Sequence, residues 1–315
     1  MERIRIRARL ILIAAAWLVL TACESAPPVV ETYPREAARW VTIGGTEVHY
    51  FDFRSHGTQT PVVWIHGYSG AAFETVYIQD AFSPDRRLIA PDLPGSGYSE
   101  KPDIDYTLGY YVGFLAQFVE ELGLERYVLV GHSMGGLIAA TFAADQPIGL
   151  EQLILVAPFG IDGAEGSIME FLAGTGVLVD YGLELHNETI LELGMRLNVF
   201  HDHSRIPRDL VNYLSVSTFH TPNAVPALAS ITRNFIAAEH DLSVLDRLRV
   251  PTLIVWGEND RVLDYRYAAA YQALIPGSML RSVPESGHLP HVELPDATAR
   301  IIREFLDENR RHDDA

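Results

Sequence analysis

The serine at position 133 lies in a Gly-His-Ser-Met-Gly segment, residues 131–135, which has the pattern Gly-x-Ser-x-Gly. An apolar, β-branched segment precedes it at 126–130 and predicts a buried strand, and an alanine-rich apolar segment follows it at 136–144 and predicts a helix. A serine on such a sharp strand-to-helix turn has its hydroxyl exposed, and the helix N-terminus beside it favours negative charge. We therefore predict that Ser133 is the nucleophile of a covalent reaction.

A serine hydroxyl is a weak nucleophile until a base removes its proton. His288 follows a predicted strand at 278–283, and Asp260 follows another at 251–256, so each stands just beyond the end of a strand. A histidine in this role needs a carboxylate that fixes its tautomer and stabilises its protonated form. We predict a catalytic triad in which Ser133 is the nucleophile, His288 the base and Asp260 the acid.

Other residues near these positions are weaker alternatives. Glu258 lies closer to its strand end and is an alternative acid. Asp264 stands at a predicted helix start, where aspartate usually caps the helix. His291 lies beyond the turn that follows the last strand, and His132 is expected to pack beside the nucleophile.

The segment His201-Asp202-His203 brings two histidines and a carboxylate together, but no fourth ligand is nearby in the sequence. No glycine-rich nucleotide-binding loop is present, and serine acyl transfer needs no organic cofactor. We therefore predict neither a metal ion nor a cofactor.

An acyl-transfer serine also needs hydrogen-bond donors for the negative oxygen of its tetrahedral intermediate. The backbone N–H of Met134, directly after the nucleophile, is one expected donor. The second is expected in the loop after the predicted strand at 62–65. We place it at the N–H of Tyr68, with Ser69 as the alternative.

Apolar strands that alternate with helices predict a parallel sheet with both faces covered. The folded part opens with a predicted hairpin, 40–43 and 48–53, turned by two glycines. The further predicted strands are 62–65, 87–90, 126–130, 153–156, 251–256 and 278–283, and the predicted helices are 110–122, 136–144, 265–274 and 297–309.

The segment 159–235 breaks this alternation, because it predicts only short helices, at 168–172, 189–198 and 207–218. An insertion between two strands of an open α/β sheet lies at the edge where ligands bind. We interpret it as a lid over Ser133. Its apolar residues line an acyl pocket or form the lid's own core: Phe171, Leu172, Val177, Leu178, Phe200 and Phe219.

The first 22 residues carry four arginines and then an apolar run at 10–20, which is short for a membrane span. The run leads into Leu-Thr-Ala-Cys at 20–23, and Cys23 is the only cysteine, which excludes an intramolecular disulfide. This end resembles the lipobox of bacterial lipoproteins, in which the signal is cut before a cysteine that becomes lipidated. A plain secretory signal and an uncleaved anchor are the alternatives.

That resemblance implies a signal peptide over 1–22, an extended tether over 23–38 and attachment to a membrane of the bacterial cell envelope through Cys23. Glu24 follows the cysteine where inner-membrane lipoproteins carry a retention aspartate, which favours the outer membrane. The chain of 315 residues has a formal net charge of −17, which repels nucleic acid, so we expect no nucleic-acid partner.

Together, the motifs resemble the α/β-hydrolase superfamily, and within it the lid-bearing esterases, lipases and carbon–carbon bond hydrolases. The motifs are His66-Gly67, the Asp-Leu-Pro-Gly-Ser-Gly-Tyr-Ser run at 92–99, the strand-to-helix turn at 131–136 (the nucleophile elbow), Asp260 and Gly287-His288. The order Ser, Asp, His along the chain is also that of the family. The resemblance implies an α/β-hydrolase fold with a mostly parallel eight-stranded sheet and helices on both faces. It places the core at 39–158 and 236–312 and a helical lid at 159–235.

Two positions narrow the expected reaction. Dehalogenases and epoxide hydrolases of this fold use an aspartate at the elbow, where this chain has Ser133. Carbon–carbon hydrolases that open ring-cleavage products usually carry tryptophan after the catalytic histidine, where this chain has Leu289. We therefore expect a carboxylesterase or lipase that acts on a small-molecule or lipid ester through an acyl-enzyme.

Alternatives of two classes remain for the function. The same triad serves carbon–carbon hydrolases of the meta-cleavage type, and it also serves perhydrolases and acyltransferases. A binding protein that kept the pocket without the activity is the alternative of another class.

Overall fold

The computed structural model describes residues 30–82, 85–161 and 188–313. Within these ranges eight strands form one sheet in the order β1-β2-β4-β3-β5-β6-β7-β8. The strands are β1 Ala38–Ile43, β2 Thr46–Phe53, β3 Gln59–Ile65, β4 Arg86–Pro91, β5 Tyr127–His132, β6 Leu150–Val156, β7 Thr252–Gly257 and β8 Met279–Val283. The β1–β2 and β2–β4 pairs are antiparallel, and the other five pairs are parallel. The expected α/β-hydrolase sheet of eight mostly parallel strands is confirmed.

The described α-helices are α1 Leu108–Glu121, α2 Met134–Ala144, α3 Glu188–Gly194, α4 Arg208–Leu214, α5 Ala224–Ile231, α6 Ala268–Ala273, α7 Pro290–Glu293 and α8 Pro295–Asp313. The helix predicted at 265–274 is divided into a 3₁₀ turn, Tyr265–Tyr267, followed by α6. The carboxylate of Asp264 caps this turn by accepting a hydrogen bond from the N–H of Arg266 at 2.9 Å.

Apolar side chains are buried on both faces of the sheet, as the alternation along a strand requires. In β3, Val63 and Ile65 pack into the core formed with α1 and α2, while Val62 and Trp64 pack into a second core formed with α4 and α8. Each such buried side chain contributes roughly 1.5–3 kcal/mol to stability. The two cores hold the carboxyl ends of the parallel strands in fixed positions.

The insertion between β6 and β7 contains three helices in its described part, α3, α4 and α5, and each continues into a π-helical turn. These turns are Met195–Val199, Ser215–Phe219 and Thr232–Ile236. The helices predicted at 189–198 and 207–218 lie on the first two of these units, α5 was not predicted, and the helix predicted at 168–172 lies outside the described residues. None of the helices in the described ranges has the length and apolarity that crossing a membrane requires.

The end of the expected tether packs against the folded body instead of extending freely. The N–H of Thr32 donates to the carboxylate of Asp209 at 2.8 Å, and the hydroxyl of Tyr33 lies 3.0 Å from His49 Nε2. The Tyr33 ring also stacks on Tyr213 of α4, with 6.2 Å between ring centroids. Residues 31–33 of the expected tether therefore lie against the folded body. The signal segment and Cys23 lie outside the described residues.

Candidate active site

Ser133 occupies a one-residue turn between β5 and α2, with φ 51° and ψ −119°. This conformation is strained for a residue with a side chain, and it persists only where the surroundings enforce it. The Ser133 N–H donates to the carbonyl of Val156 at 2.9 Å, and the N–H of Gly136 donates back to the Ser133 carbonyl at 2.8 Å. At Gly131 an added Cβ would overlap the backbone of the first turn of α2, so the tight turn requires glycine there.

The structure brings Asp260 and His288 together at the ends of β7 and β8. His288 Nδ1 donates to Asp260 Oδ2 at 2.7 Å, which leaves Nε2 as the basic nitrogen of the ring. The other carboxylate oxygen of Asp260 accepts from the N–H groups of Val262 at 2.8 Å and Leu263 at 2.9 Å. Asp260 and His288 are both buried, and each has an exposed fraction of 6%. The pair is therefore geometrically able to act as a base and its orienting acid.

Ser133 and His288 line the same cavity, which has a volume of about 220 Å³. Most of the described side chains around it are apolar: Tyr68, Phe159, Leu191, Met195, Val199, Leu214, Val262, Leu263 and Leu289. The polar lining of the described residues outside Ser133 and the histidines consists of Ser69, Glu74 and Asn198, and it includes no arginine or lysine. Phe200, expected as a pocket or lid-core residue, is buried in the core that includes α4 and α8. The other lid residues expected for the pocket have no described side chains.

The two expected oxyanion donors lie on elements next to Ser133. Met134 is the first residue of α2, and Tyr68 and Ser69 are in the loop after β3 that lines the cavity. The Tyr68 hydroxyl lies 2.7 Å from Thr232 Oγ1, and burial raises the pKa of Tyr68 to about 12, so its phenol is neutral at pH 7. The side chain of Tyr68 thus connects the loop to the insertion, while its N–H is the group relevant to an oxyanion.

A fully buried carboxylate, Asp92, holds this loop in place. Its oxygens accept from Ala72 N–H at 2.7 Å, His49 Nδ1 at 2.8 Å, Tyr98 N–H at 2.9 Å and the Tyr213 hydroxyl at 3.0 Å. Burial raises the pKa of Asp92, but the hydrogen bond from His49 and the other donors outweigh it and lower the pKa below its usual value. Asp92 therefore remains ionised and joins β2, the loops after β3 and β4, and the insertion.

Sequence reasoning missed Glu293, a buried carboxylate in α7. It accepts from the N–H of Gly287 at 2.7 Å and from the N–H of Asp202 in the insertion at 2.6 Å. The first bond fixes the residue directly before His288. Glu293 therefore connects the loop that carries His288 to the insertion.

Glu258 and Asp202, two weaker candidates from the sequence, make other contacts. Glu258 accepts from the Ser282 hydroxyl at 2.7 Å on the surface, away from the histidine that Asp260 orients. Asp202 accepts from the N–H of Ser204 at 2.9 Å and pairs with Arg205 at 3.1 Å, so its carboxylate caps a 3₁₀ turn.

His132 and His291 lie behind the nucleophile with a carboxylate that sequence reasoning did not select, Glu74. His132 Nε2 donates to the carbonyl oxygen of His288 at 2.9 Å, as expected for a residue packed beside the catalytic groups. His291 Nε2 lies 3.2 Å from Glu74 Oε2.

Comparison with known proteins places this geometry in context. Residues 60–295 match the family model of the alpha/beta hydrolase fold. The chain is 30% identical to a 2-hydroxy-6-oxo-2,4-heptadienoate hydrolase of Pseudomonas putida, over 86% of this chain and 96% of that protein. It is 29% identical to an uncharacterized hydrolase of Bacillus subtilis, over 85% and 97%. The crystal structure of a membrane phospholipase A, described as a bacterial virulence factor, is similar with a TM-score of 0.72 and 25% identity, over 98% of this chain and 99% of that chain.

Proposed function

The chain belongs to the α/β-hydrolase family and is a hydrolase, and from this premise we propose that it cleaves carboxylic esters through an acyl-enzyme on Ser133. The observation that carries the proposal is the mainly apolar cavity that has Ser133 and His288 in its wall, with His288 bonded to Asp260 at 2.7 Å. An apolar cavity beside a nucleophile and base fits a substrate with a hydrocarbon acyl group.

In the proposed reaction each of these groups has one role. His288 Nε2 removes the proton of the Ser133 hydroxyl as its oxygen attacks the ester carbonyl carbon, and Asp260 stabilises the imidazolium that forms. The N–H groups of Met134 and Tyr68 stabilise the negative oxygen of the tetrahedral intermediate. His288 then gives the proton to the leaving alkoxide, and the alcohol departs. A water, activated by His288, hydrolyses the acyl-Ser133 ester and releases the acid.

The cavity also favours an ester over the substrate of the meta-cleavage relatives. A 2-hydroxy-6-oxo-dienoate carries a carboxylate, which needs a cation or a set of donors where it is buried. The described lining of the cavity holds no arginine or lysine. A neutral ester needs no such partner. The 30% identity with the Pseudomonas putida hydrolase keeps carbon–carbon cleavage as the second candidate.

We further propose that the protein is attached to the envelope through lipidated Cys23 and acts on lipid esters there. The lipobox-like segment at 20–23 and the similarity to a membrane phospholipase A over nearly the whole chain support this placement. Labelling with an alkyne fatty acid in the bacterial host tests it. Wild type should be labelled and recovered with membranes, and Cys23→Ser should be unlabelled. Equal labelling of both would refute anchoring at Cys23.

A substrate panel tests the proposed reaction. The panel contains p-nitrophenyl esters from acetate to palmitate and a 2-hydroxy-6-oxo-dienoate. Because the described cavity is smaller than the roughly 300–1,000 Å³ of typical drug-sized sites, we expect the highest kcat/KM for acyl groups of intermediate length. Faster turnover of the dienoate than of every ester would replace this proposal by the second candidate.

A further inference from the structure

Three buried side chains from three separate elements converge at the end of β5, next to Ser133 in the chain. Glu74 lies in the 3₁₀ segment Ala72–Tyr77, His132 ends β5 and His291 lies in α7. Their exposed fractions are 2%, 2% and 0%, and one candidate ligand atom from each lies within 4.8 Å of the other two. Glu74 and His132 also line the active-site cavity, so the cluster has a path to solvent.

The hydrogen bond of His132 fixes its tautomer. Because a carbonyl oxygen only accepts, Nε2 carries the proton that it donates to His288 over 2.9 Å. In the neutral ring Nδ1 then presents a lone pair, and this buried atom has no hydrogen-bond partner.

That lone pair faces a second electron-rich group, since Glu74 Oε2 lies 3.7 Å from His132 Nδ1. A proton shared by the two atoms would need a distance near 2.7–3.2 Å, which is shorter than the distance observed. Two buried acceptors that face each other are destabilising unless a cation lies between them. The two electron-rich atoms therefore provide the surroundings that a cation needs.

Two of the three distances between these atoms also fit a metal ion, and the two histidine nitrogens lie within 4.8 Å of each other. A tetrahedral zinc ion with ligands at about 2.0–2.1 Å holds those ligand atoms roughly 3.3 Å apart. Glu74 Oε2 lies 3.2 Å from His291 Nε2 and 3.7 Å from His132 Nδ1, so these two pairs are close to that spacing. The Nε2–H bond from His132 to a carbonyl is also the outer hydrogen bond that metal-bound histidines typically make.

We propose that Glu74, His132 and His291 bind one divalent transition-metal ion, for which zinc(II) is the best match to two imidazoles and a carboxylate. The ligand atoms are Glu74 Oε2, His132 Nδ1 and His291 Nε2, so the ion replaces the hydrogen bond between Glu74 and His291, and the His291 proton moves to Nδ1. The ion links the 3₁₀ segment Ala72–Tyr77, the end of β5 and α7, so it stabilises the arrangement of the active site.

Metal uptake by the full chain in detergent tests the proposal. All proteins carry Cys23→Ser, so that the single thiol does not bind the ion. After chelation and dialysis, titration with cobalt(II) should give one bound ion per chain, with the visible absorption of four-coordinate cobalt, and zinc(II) should displace it. Glu74→Gln and His291→Gln should each weaken binding by about 100-fold or more. His203→Gln, from the histidine pair in the insertion, should bind as the parent does.

Circular dichroism of each variant shows whether it is folded. X-ray absorption of the zinc-loaded parent should show two imidazole ligands, and this measurement needs no variant. A folded parent that takes up no stoichiometric cobalt or zinc overturns the proposal. Uptake that is unchanged in both Glu74→Gln and His291→Gln, or lost in His203→Gln alone, also overturns it.

Discussion

The backbone N–H of His288 donates to the carbonyl oxygen of Val199 over 2.7 Å. Val199 ends the first π-helical turn of the insertion, so the insertion binds the backbone of the proposed base directly. Glu293 strengthens this connection, because its carboxylate accepts from both Gly287 and Asp202. The insertion therefore helps to position His288 as well as to line the cavity.

Gly287→Ala should disturb this connection. A Cβ at residue 287 would overlap the carbonyl of Val199 and approach His201 N–H at 3.0 Å, so the two segments must separate. We expect kcat to fall at least about 10-fold and the free energy of unfolding to fall by about 1–3 kcal/mol. Gly113→Ala in α1, where nothing lies within 4 Å of an added Cβ, is the matched control. Unchanged kcat in Gly287→Ala would show that the contact does not position His288.

Glu293→Gln tests the second part of the same connection. The amide keeps one acceptor oxygen but turns an NH₂ donor toward a backbone N–H, so one of the two buried bonds is lost. We expect a stability loss of about 1–3 kcal/mol and a fall in kcat that exceeds the change in KM. The exposed Glu304→Gln on α8 serves as control. If both variants have the same melting temperature and kcat, Glu293 is not a positioning residue.

Asp260→Asn should leave the fold largely intact and impair the chemistry. Oδ1 can still accept from Val262 and Leu263, but an NH₂ group facing His288 Nδ1 favours the wrong tautomer. We expect kcat for ester hydrolysis to fall by about 10⁴-fold, as in other triads. Glu258→Gln should retain the parental kcat. A large fall in kcat for Glu258→Gln, with the parental kcat in Asp260→Asn, would identify Glu258 as the acid.

Asp92→Asn should give a pH-dependent loss of stability. Because the pKa of Asp92 is lower in the folded state than its usual value, its stabilisation is complete above about pH 4 and is lost as the pH falls through the folded-state value. At pH 7 denaturant unfolding should give a free energy of unfolding about 3–5 kcal/mol lower for Asp92→Asn than for wild type. This difference should become smaller below pH 4. The exposed ion-pair variant Asp80→Asn should lose at most about 1 kcal/mol. A difference for Asp92→Asn that is constant with pH would contradict this account.

The strands and the residues after them were predictable from the sequence because their signals are local. Each apolar run shows where a strand stops, and Ser133, Asp260 and His288 follow three of these strands within a few residues. Parallel strands place such ends at one edge of a sheet, and the structure indeed pairs Asp260 with His288. For this reason the sheet and the candidate triad could be located without a structure.

The supporting carboxylates were not predictable, because their partners are distant in the chain. Glu74 meets His291 across 217 residues, and Glu293 meets Asp202 across 91 residues. Nothing in the sequence around these glutamates distinguishes them from the solvated glutamates of a chain with a net charge of −17. Only tertiary packing shows that they are buried, and that Glu74 is bonded to His291 in α7 and Glu293 to the loop that carries His288.

The most direct test of the account is the rate of p-nitrophenyl butyrate hydrolysis by full-length wild type and Ser133→Ala, with equal melting temperatures as evidence of folding. If Ser133 is the nucleophile, Ser133→Ala should lower kcat/KM by at least about 10³-fold and abolish labelling by a fluorophosphonate probe. Ester hydrolysis that survives the substitution in a folded protein would contradict the assignment of Ser133 as the nucleophile.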